Sequence, residues 1–471
     1  MLAGELVANG KYPYRDFFYP QAPLLPFLWG LLNRLGLHGF LVGRAIMGVC
    51  AALATFLVVR TVKKNTGSLV AASASGIVVC LHELGWQWMP AIKAYGPATL
   101  FSVGAIMLVT GSRIPSIWAA SLSGALVMAS VGCRLLMAPL VVIVPLAIAT
   151  SRSSTTDAST CRARVLATGA AIASMAAVAL AMYVLWARPC WDAFVFNNLG
   201  YHARRAAGGL IGQWGAKKTM LLAVLGLRPD GSGAGAGRQF LMLWVASFLG
   251  LVLGKRRHLT GTWTLAAAGL FLADFMPNPV HQQYFANVVP LLAIPAAISI
   301  YDIALRFRSA PLVQPLAALA TMACYVALFV PAWQAKFLRG VYGAWDMKAF
   351  RPREIQRMAD HVKAISRSYP GPVLAFWPGS LVGVPKAAMA GFENQFGRGI
   401  AGQLTVEERR LYKISSNEDA FAAIRTRVPS VVVVDREAPR PLLLPVLAAA
   451  GYQMIDDVPP SGSIFVRAKA R

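Results

Sequence analysis

The stretch Gly39-Phe-Leu-Val-Gly-Arg-Ala-Ile-Met-Gly-Val-Cys-Ala-Ala-Leu-Ala-Thr-Phe-Leu-Val-Val-Arg-Thr61 is an almost continuous apolar run. As a helix, a run of this length can cross a hydrocarbon core of ~30 Å. Similar apolar runs follow at residues 67–84, 95–112, 116–131, 134–150, 165–187, 239–254, 262–276, 285–303 and 311–333. The sequence therefore predicts an α-helical polytopic membrane protein with about ten transmembrane helices.

Composition supports the same fold class. Hydrophobic residues make up 56% of the 471 residues and charged residues only 14%, whereas soluble domains carry about 25% charged residues. The net charge of +25 is a feature that nucleic-acid-binding proteins share. Here, however, the basic residues stand in short clusters between apolar runs, which indicates membrane topology and attraction to lipid headgroups. We therefore expect membrane lipids as partners and no nucleic acid.

Basic loops set the predicted orientation. They alternate along the chain, so they all fall on one side, which the positive-inside rule assigns to the cytoplasm. The sequence then predicts a protein of the cytoplasmic (inner) membrane with the N-terminal region, the loop 188–238 and the C-terminal region outside. The basic residues are Lys63, Lys64, Arg113, Arg152, Arg162, Arg164, Lys255, Arg256, Arg257, Arg306 and Arg308.

Three regions are predicted. Residues 1–38 form two interfacial helices, Leu2–Ala8 and Ala22–Leu35, joined by a Tyr- and Phe-rich segment that suits the headgroup level. Residues 39–334 form the transmembrane bundle. Residues 335–471 form a small extracytoplasmic α/β domain. Its predicted helices are Arg353–Ser368 and Leu442–Ala450, and its predicted strands are Pro372–Trp377, Ser430–Asp435 and Ser463–Val466.

Two carboxylates are candidates for acid–base chemistry. Asp16 lies among aromatic residues beside Arg15, and a carboxylate in such surroundings can act as a general base with a raised pKa. The alternative is an Arg15–Asp16 pair that only fixes the loop. Glu83 lies near the outer end of a span, as does Asp274; acids there are often functional, but loop acids are often only solvated.

Cationic and polar residues near the predicted outer side are candidates for substrate binding. Arg44 and Arg134 lie near the outer ends of apolar runs, where an arginine either reaches the interface or binds a lipid phosphate. The cluster Tyr201-His202-Ala-Arg204-Arg205 can clamp a phosphate or sugar, or form a solvated basic turn. His281-Gln-Gln-Tyr284 offers hydrogen bonds to a similar ligand, or satisfies its own helix end. The six cysteines show no CxxC spacing, so no metal or redox motif is present.

The segment Gly10-Lys-Tyr-Pro-Tyr-Arg-Asp-Phe-Phe-Tyr-Pro-Gln-Ala-Pro-Leu24 resembles the first outer loop of the GT-C membrane glycosyltransferases, near the protein O-mannosyltransferases and the bacterial aminoarabinose (lipid A) transferases. Ala22-Pro23-Leu24 opens the second interfacial helix as in that family, and Trp29–Gly36 and Arg44 continue the likeness. The stretch His281–Pro290 and an outer C-terminal domain also look like bacterial members.

The resemblance implies transfer of a sugar from a polyprenyl-phosphate donor to an envelope lipid, glycan or protein acceptor on the outer face, with inversion. A carboxylate would take the proton of the acceptor hydroxyl. The available cations Arg44, Arg204 and Arg205, or a divalent metal ion, would stabilise the departing phosphate. No cofactor follows from the residues themselves.

Two departures from the family pattern bear on this expectation. The family has a span and an acidic residue before this loop, whereas this sequence starts at Met1 inside what would be the first interfacial helix and contains neither. In addition, Gln21 stands where relatives have Lys or His. We expect a start that is truncated relative to the family; the alternative is a degenerate, non-catalytic member. A transporter or flippase is the rival from another class, but the internal repeats typical of those proteins are not evident.

Overall fold

The computed structural model describes residues 1–110, 114–151, 158–205, 213–228, 234–307, 313–335, 339, 341–342, 345–346 and 348–468. Arg113, Arg152 and Arg308, which contribute to the predicted orientation, lie outside these ranges. The described chain is mostly helical with a small sheet. It divides into a first unit, Met1–Ala45, Met182–Ala207 and Ala344–Arg471, and a second unit, Ile46–Ala181 and Gly208–Gly343.

Apolar helices build the second unit, and each predicted span coincides with one of them. The helices that follow the two interfacial helices are α3 (Phe40–Thr66), α4 (Leu69–Cys80), α5 (Glu83–Trp88), α6 (Tyr95–Val109), α7 (Ile117–Cys133), α8 (Leu140–Ala149), α9 (Ala158–Met182), α10 (Trp191–Val195), α11 (Tyr201–Arg204), α12 (Trp214–Val224), α13 (Ala234–Leu253), α14 (Arg257–Asp274), α15 (Val288–Ala304) and α16 (Val313–Trp333). Of these, α10 and α11 lie in the first unit.

Four helical stretches are long and apolar enough to cross a membrane by length and composition: Phe40–Thr66, Ala158–Arg204, Gly235–Leu253 and Gln282–Ala304. The other apolar helices of the described residues are shorter or less apolar. A membrane protein is therefore indicated, while the count of about ten spans stays a prediction.

Small and hydroxyl-bearing residues bring the helices of the second unit together. A Cβ on Gly124 of α7 would lie 2.3 Å from the main-chain oxygen of Ala171 on α9. Ser123 and Ser130 on the same helix donate hydrogen bonds of 2.8 Å to the main-chain oxygens of Ala105 and Ala98 on α6. Close approach at small residues and hydrogen bonds between helices are the usual means of packing in lipid.

The predicted outer loop 188–238 begins as a helix. From Ala158 the helix continues through short π and 3₁₀ turns to Arg204, 47 residues in all. At 1.5 Å per residue this stretch is about 70 Å long, so only part of it can lie within a hydrocarbon core of ~30 Å. Residues 188–204 of the predicted outer loop are therefore helical, because backbone hydrogen bonding continues past the apolar run.

The first unit begins with two packed helices, α1 (Leu2–Ala8) and α2 (Leu24–Arg34). Their close contact depends on glycines, since a Cβ on Gly4 would lie 2.2 Å from the Cβ of Trp29 and a Cβ on Gly30 would lie 2.6 Å from Val7 Cγ1. The bounds of α1 are those predicted, whereas α2 begins two residues later and ends one residue earlier than predicted. Among the connecting aromatic residues, the side chains of Tyr14, Phe17 and Phe18 are buried. For these three rings the predicted position at the lipid headgroups is wrong, because they pack inside the protein.

A four-stranded sheet and four helices form the C-terminal part of the first unit, which also contains α10 and α11. The strand order is β3-β4-β6-β5, with β3 parallel to β4 and the other pairs antiparallel. Two short strands, β1 and β2, precede it. The elements are β1 (Val341–Tyr342), β2 (Trp345–Asp346), α17 (Pro352–Ser368), β3 (Val373–Ala375), α18 (Val406–Tyr412), α19 (Asn417–Arg425), β4 (Val431–Asp435), α20 (Arg440–Ala449), β5 (Tyr452–Val458) and β6 (Gly462–Arg467). The sequence predicts α17, β3, β4, α20 and β6 but not α18, α19 or β5.

The central strand β4 is buried on both faces, which explains its run of valines. Val431 and Val433 join one apolar cluster, whereas Val432 and Val434 join the cluster on the opposite face. The first cluster also contains Leu2, Leu6 and Phe17. Helix α1 and the aromatic loop therefore complete the core of the C-terminal α/β fold, although the predicted regions 1–38 and 335–471 are far apart in sequence.

Candidate functional site

The main polar cluster of the second unit forms around Arg134, which follows directly after α7. The backbone leaves the helix there in an extended conformation, with φ −153° and ψ 113°, so the side chain points away from its own helix. Arg134 is only 9% exposed. A guanidinium buried to this degree requires partners for its N–H groups.

The end of one helix and the turn before the next supply these partners. Arg134 Nη2 donates to Asp274 Oδ1 at 2.8 Å. Arg134 Nη1 donates to Asn287 Oδ1 at 2.9 Å and to the main-chain oxygen of Tyr284 at 3.0 Å. Asp274 ends α14, and Asn287 directly precedes α15. The basic-loop pattern predicts that these helix ends lie on the outer side of the membrane.

Aromatic rings enclose the guanidinium. Its Cζ lies 4.7 Å from the ring centroid of Tyr95, which begins α6, and 5.3 Å from that of Tyr284. The ring of His281 contacts that of Tyr284 edge to face, with centroids 5.4 Å apart. Cation–π contacts of this kind further stabilise a desolvated arginine. Three predicted residues, Arg134, His281 and Tyr284, are thus neighbours.

Lys93 adds an exposed positive charge to this cluster. It lies just before α6, its ammonium is 4.7 Å from the Trp88 ring centroid, and it is close enough to Arg134 for their charges to interact. Because Asp274 neutralises Arg134, the exposed charge of the cluster comes from Lys93. Asp274 itself is 0% exposed, and its Oδ2 has no hydrogen-bond partner among the described residues. The arrangement combines a buried ion pair with an ammonium held against an aromatic ring, and such cations suit recognition of a phosphate.

Glu83 lies in the second unit on a helix, α5, that contacts the turn Gln282–Asn287. It begins α5 and is 4% exposed, and its main-chain N–H donates to Gln239 Oε1 at 3.2 Å. Gln239 Nε2 in turn donates to the main-chain oxygens of Leu81 and Tyr325. These bonds tie α5 to the neighbouring helices. Its predicted catalytic role stays a prediction.

Asp16 lies in a tight turn of the first unit. Its Oδ2 accepts the main-chain N–H of Tyr12 and Arg15 Nη2, both at 2.7 Å, and the turn is formed by Tyr14 with φ 69°. Partial burial raises the pKa of Asp16, but the bonds from Arg15 and Tyr12 outweigh it, so the pKa is lowered overall. The predicted raised pKa is therefore wrong, and the local Arg15–Asp16 pair left open by the sequence is present.

The other predicted residues of the first unit contact its loop or its C-terminal fold. Arg204 Nη2 donates to Glu408 Oε1 at 3.0 Å, and His202 Nε2 lies 3.2 Å from the main-chain oxygen of Pro20. The guanidinium of Arg205 lies 5.7 Å from the Phe396 ring centroid. Gln21 is exposed, and its main-chain oxygen accepts the Tyr14 hydroxyl at 2.6 Å; Arg44 on α3 is half-buried.

Three residues of the Arg134 cluster, Lys93, Tyr95 and Asn287, are not predicted as site residues, and Asp274 is predicted only as an acid near the outer end of a span. The usable signal is that each lies at the end of an apolar run, where a polar side chain is costly unless it is paired or functional. Among the described residues, no group of three or more His, Cys, Asp and Glu side chains could hold a metal ion.

No protein-family model and no curated protein matches this sequence. Solved structures match it as folds. ArnT from Cupriavidus metallidurans, bound to undecaprenyl phosphate, matches with a TM-score of 0.63 at 13% identity, over 98% of this chain and 92% of that chain. The oligosaccharyltransferase AglB from Archaeoglobus fulgidus, in complex with an inhibitory peptide and a dolichol-phosphate, matches with a TM-score of 0.53 at 12% identity, over 99% and 69%. Both are GT-C glycosyltransferases, so the chain has a GT-C-like fold, as the resemblance predicts.

Proposed function

We propose that this protein is a membrane glycosyltransferase that transfers a sugar from a polyprenyl-phosphate donor to an envelope acceptor on the outer face of the cytoplasmic membrane. The observation that carries the proposal is the GT-C-like fold, which extends over 98% of the chain in the match to undecaprenyl-phosphate-bound ArnT. Fold alone does not specify chemistry. The polar cluster around Arg134 adds the local argument.

In the proposed reaction, an acceptor hydroxyl attacks the anomeric carbon while the bond from that carbon to the phosphate oxygen breaks. The hydroxyl proton passes to a carboxylate, the sugar becomes bonded to the acceptor oxygen, and the carrier departs as polyprenyl phosphate. Lys93 and the Arg134–Asp274 pair supply the groups that would bind the phosphate and stabilise its developing charge. Because its phosphate is anionic and its chain is apolar, such a donor suits cations placed at the outer ends of apolar helices.

The proposed proton acceptors are two carboxylates, Asp16 and Glu83. Asp16 is ionised at neutral pH because its pKa is lowered, which makes it available as a base but a weak one. Glu83 is the other proposed carboxylate. A non-catalytic member that only binds the lipid phosphate is the second candidate function, and the lowered pKa of Asp16 is the observation that favours it.

Transfer is tested with the purified full chain in nanodiscs, a panel of labelled polyprenyl-phosphate sugars and an envelope acceptor extract. We expect label to enter the acceptor fraction, and we expect Lys93→Ala to lower the rate by about tenfold or more, while the exposed control Arg410→Ala leaves it unchanged. Addition of EDTA to the same assay tests the proposed alternative in which a divalent metal ion supplies the positive charge.

Binding separates the two candidate functions. Undecaprenyl phosphate retained by the protein without transfer of any sugar in the panel would favour the non-catalytic member. Absence of both transfer and retention would overturn the proposal, and a flux of labelled lipid across proteoliposomes would then favour a flippase.

A further inference from the structure

A groove of about 360 Å³ lies in the first unit beside the end of α1. Asn9 forms one wall, and the segment 383–387 of the C-terminal α/β fold forms the other. This volume falls within the range of small-molecule sites. None of the residues predicted from the sequence to bind substrate lines it.

Two hydrogen bonds of Glu5 fix the walls. The Glu5 carboxylate Oε2 accepts the main-chain N–H of Gly383 at 2.7 Å, and its main-chain oxygen accepts Asn9 Nδ2 at 2.8 Å. Gly383 has φ +90°, a backbone conformation that a residue with a Cβ rarely adopts. The Glu5 side chain therefore holds the 383–387 wall and its main-chain oxygen holds Asn9, so one residue joins both sides of the groove.

Unpaired lysines give the groove a positive charge. Lys386 lines it and is exposed, and Lys363 of α17, also exposed, places its Cδ 3.5 Å from where a Cβ on Gly383 would lie. Neither lysine forms an ion pair with any residue that the structure describes. The adjacent carboxylate, Glu5, is only 6% exposed and is already engaged by Gly383.

A third cation lies at the α1 side. Arg34 Nε donates to the main-chain oxygen of Ala8 at 3.4 Å, next to Asn9. The groove itself is lined partly by the apolar residues Val384, Pro385 and Ala387. Three long cationic side chains around it favour a compact ligand of more than one negative charge, because each can meet a different oxygen.

We infer that this groove binds a phosphate group carried by a small ligand or by a lipid. The inference stands independently of the proposed sugar transfer, since it rests on other residues and is tested by binding alone. A sugar phosphate in solution and an anionic phospholipid headgroup share this chemistry, so the test has one arm for each source.

The first arm titrates a hexose 1-phosphate into the full chain in phosphatidylcholine nanodiscs by calorimetry. The second arm compares nanodiscs with and without phosphatidylglycerol and measures acetylation of each lysine by mass spectrometry. The test variant is Lys363→Glu with Lys386→Glu. Its matched control, Arg410→Glu with Arg425→Glu, makes the same charge change at two exposed positions of the same unit.

We expect the sugar phosphate to bind, or phosphatidylglycerol to protect Lys363 and Lys386 from acetylation. The arm that responds identifies the source. The test variant should weaken that response by about tenfold, and the control should not. If the test variant fails to fold, Lys363→Met with Lys386→Met replaces it. No response in either arm, or equal loss in test and control variants, would overturn the inference.

Discussion

Arg134 and Asp274 form an ion pair of 2.8 Å between side chains that are 10% and 1% exposed. Removing one partner leaves the other charge buried without compensation, which costs about 3–5 kcal/mol. We therefore expect Arg134→Ala and Asp274→Ala each to destabilise the protein by about that amount. The double variant should lose less than the sum of the two, because neither charge is then left alone.

Thermal unfolding in detergent measures this cycle. Arg60→Ala on α3 is the control, since Arg60 is exposed and its removal should change stability by no more than about 0.5 kcal/mol. Strictly additive losses at positions 134 and 274 would contradict the pairing.

Gly124 and Gly169 offer a second test, of helix packing in the second unit. A Cβ on Gly124 would lie 2.3 Å from the main-chain oxygen of Ala171, whereas a Cβ on Gly169 would meet nothing within 4 Å. We expect Gly124→Ala to destabilise the protein by about 1–3 kcal/mol through overpacking. Gly169→Ala should be neutral or stabilising by up to about 1 kcal/mol, because alanine favours a helix. Equal effects of the two substitutions on the unfolding midpoint would show that α7 and α9 do not pack here.

The elements of the fold are largely predictable because their signals are local. Apolar length marks the helices of the second unit, and the run of valines marks β4. The partners of these elements are not local. Leu2 and Leu6 mark one face of α1 as apolar, but nothing in their spacing shows that this face completes the core of a sheet formed by residues beyond 370.

The candidate site shows the same division. Arg134 stands out in the sequence as a charge at the end of an apolar run, but its partner Asp274 is 140 residues away, so no spacing rule connects them. For Asp16 the sequence gives the neighbours correctly, whereas the direction of its pKa depends on the turn that brings the N–H of Tyr12 to its carboxylate.

The ion pair between Arg204 and Glu408 shows how strongly Arg204, a predicted phosphate-binding cation, is held by its partner. Their side chains are 37% and 31% exposed and 3.0 Å apart, and exposed pairs contribute only about 0.2–1 kcal/mol. We expect a coupling energy in that range for Arg204→Ala and Glu408→Gln, falling as salt is added. Glutamine is chosen because Glu408 also accepts the main-chain N–H of Thr405 in a capping box, which a glutamine oxygen preserves. A coupling well above 2 kcal/mol would mean that Arg204 is committed to Glu408.

Asp435 should make the stability of the C-terminal α/β fold depend on pH. Burial raises the pKa of Asp435 from 3.8 to about 7, against bonds from the main-chain N–H groups of Trp377 and Glu437 that lower it. The folded state therefore binds a proton more tightly than the unfolded state. The free energy of unfolding should fall as pH rises from about 4 to about 7 and stay low above that. The fall should be at most about 4 kcal/mol, since one pKa unit corresponds to ~1.4 kcal/mol.

Hydrogen exchange of the β4 amides, corrected for intrinsic rates, measures this dependence. Asp435→Asn should flatten the curve, whereas the exposed control Asp360→Asn should retain it; an unchanged curve in Asp435→Asn would assign the dependence to another group.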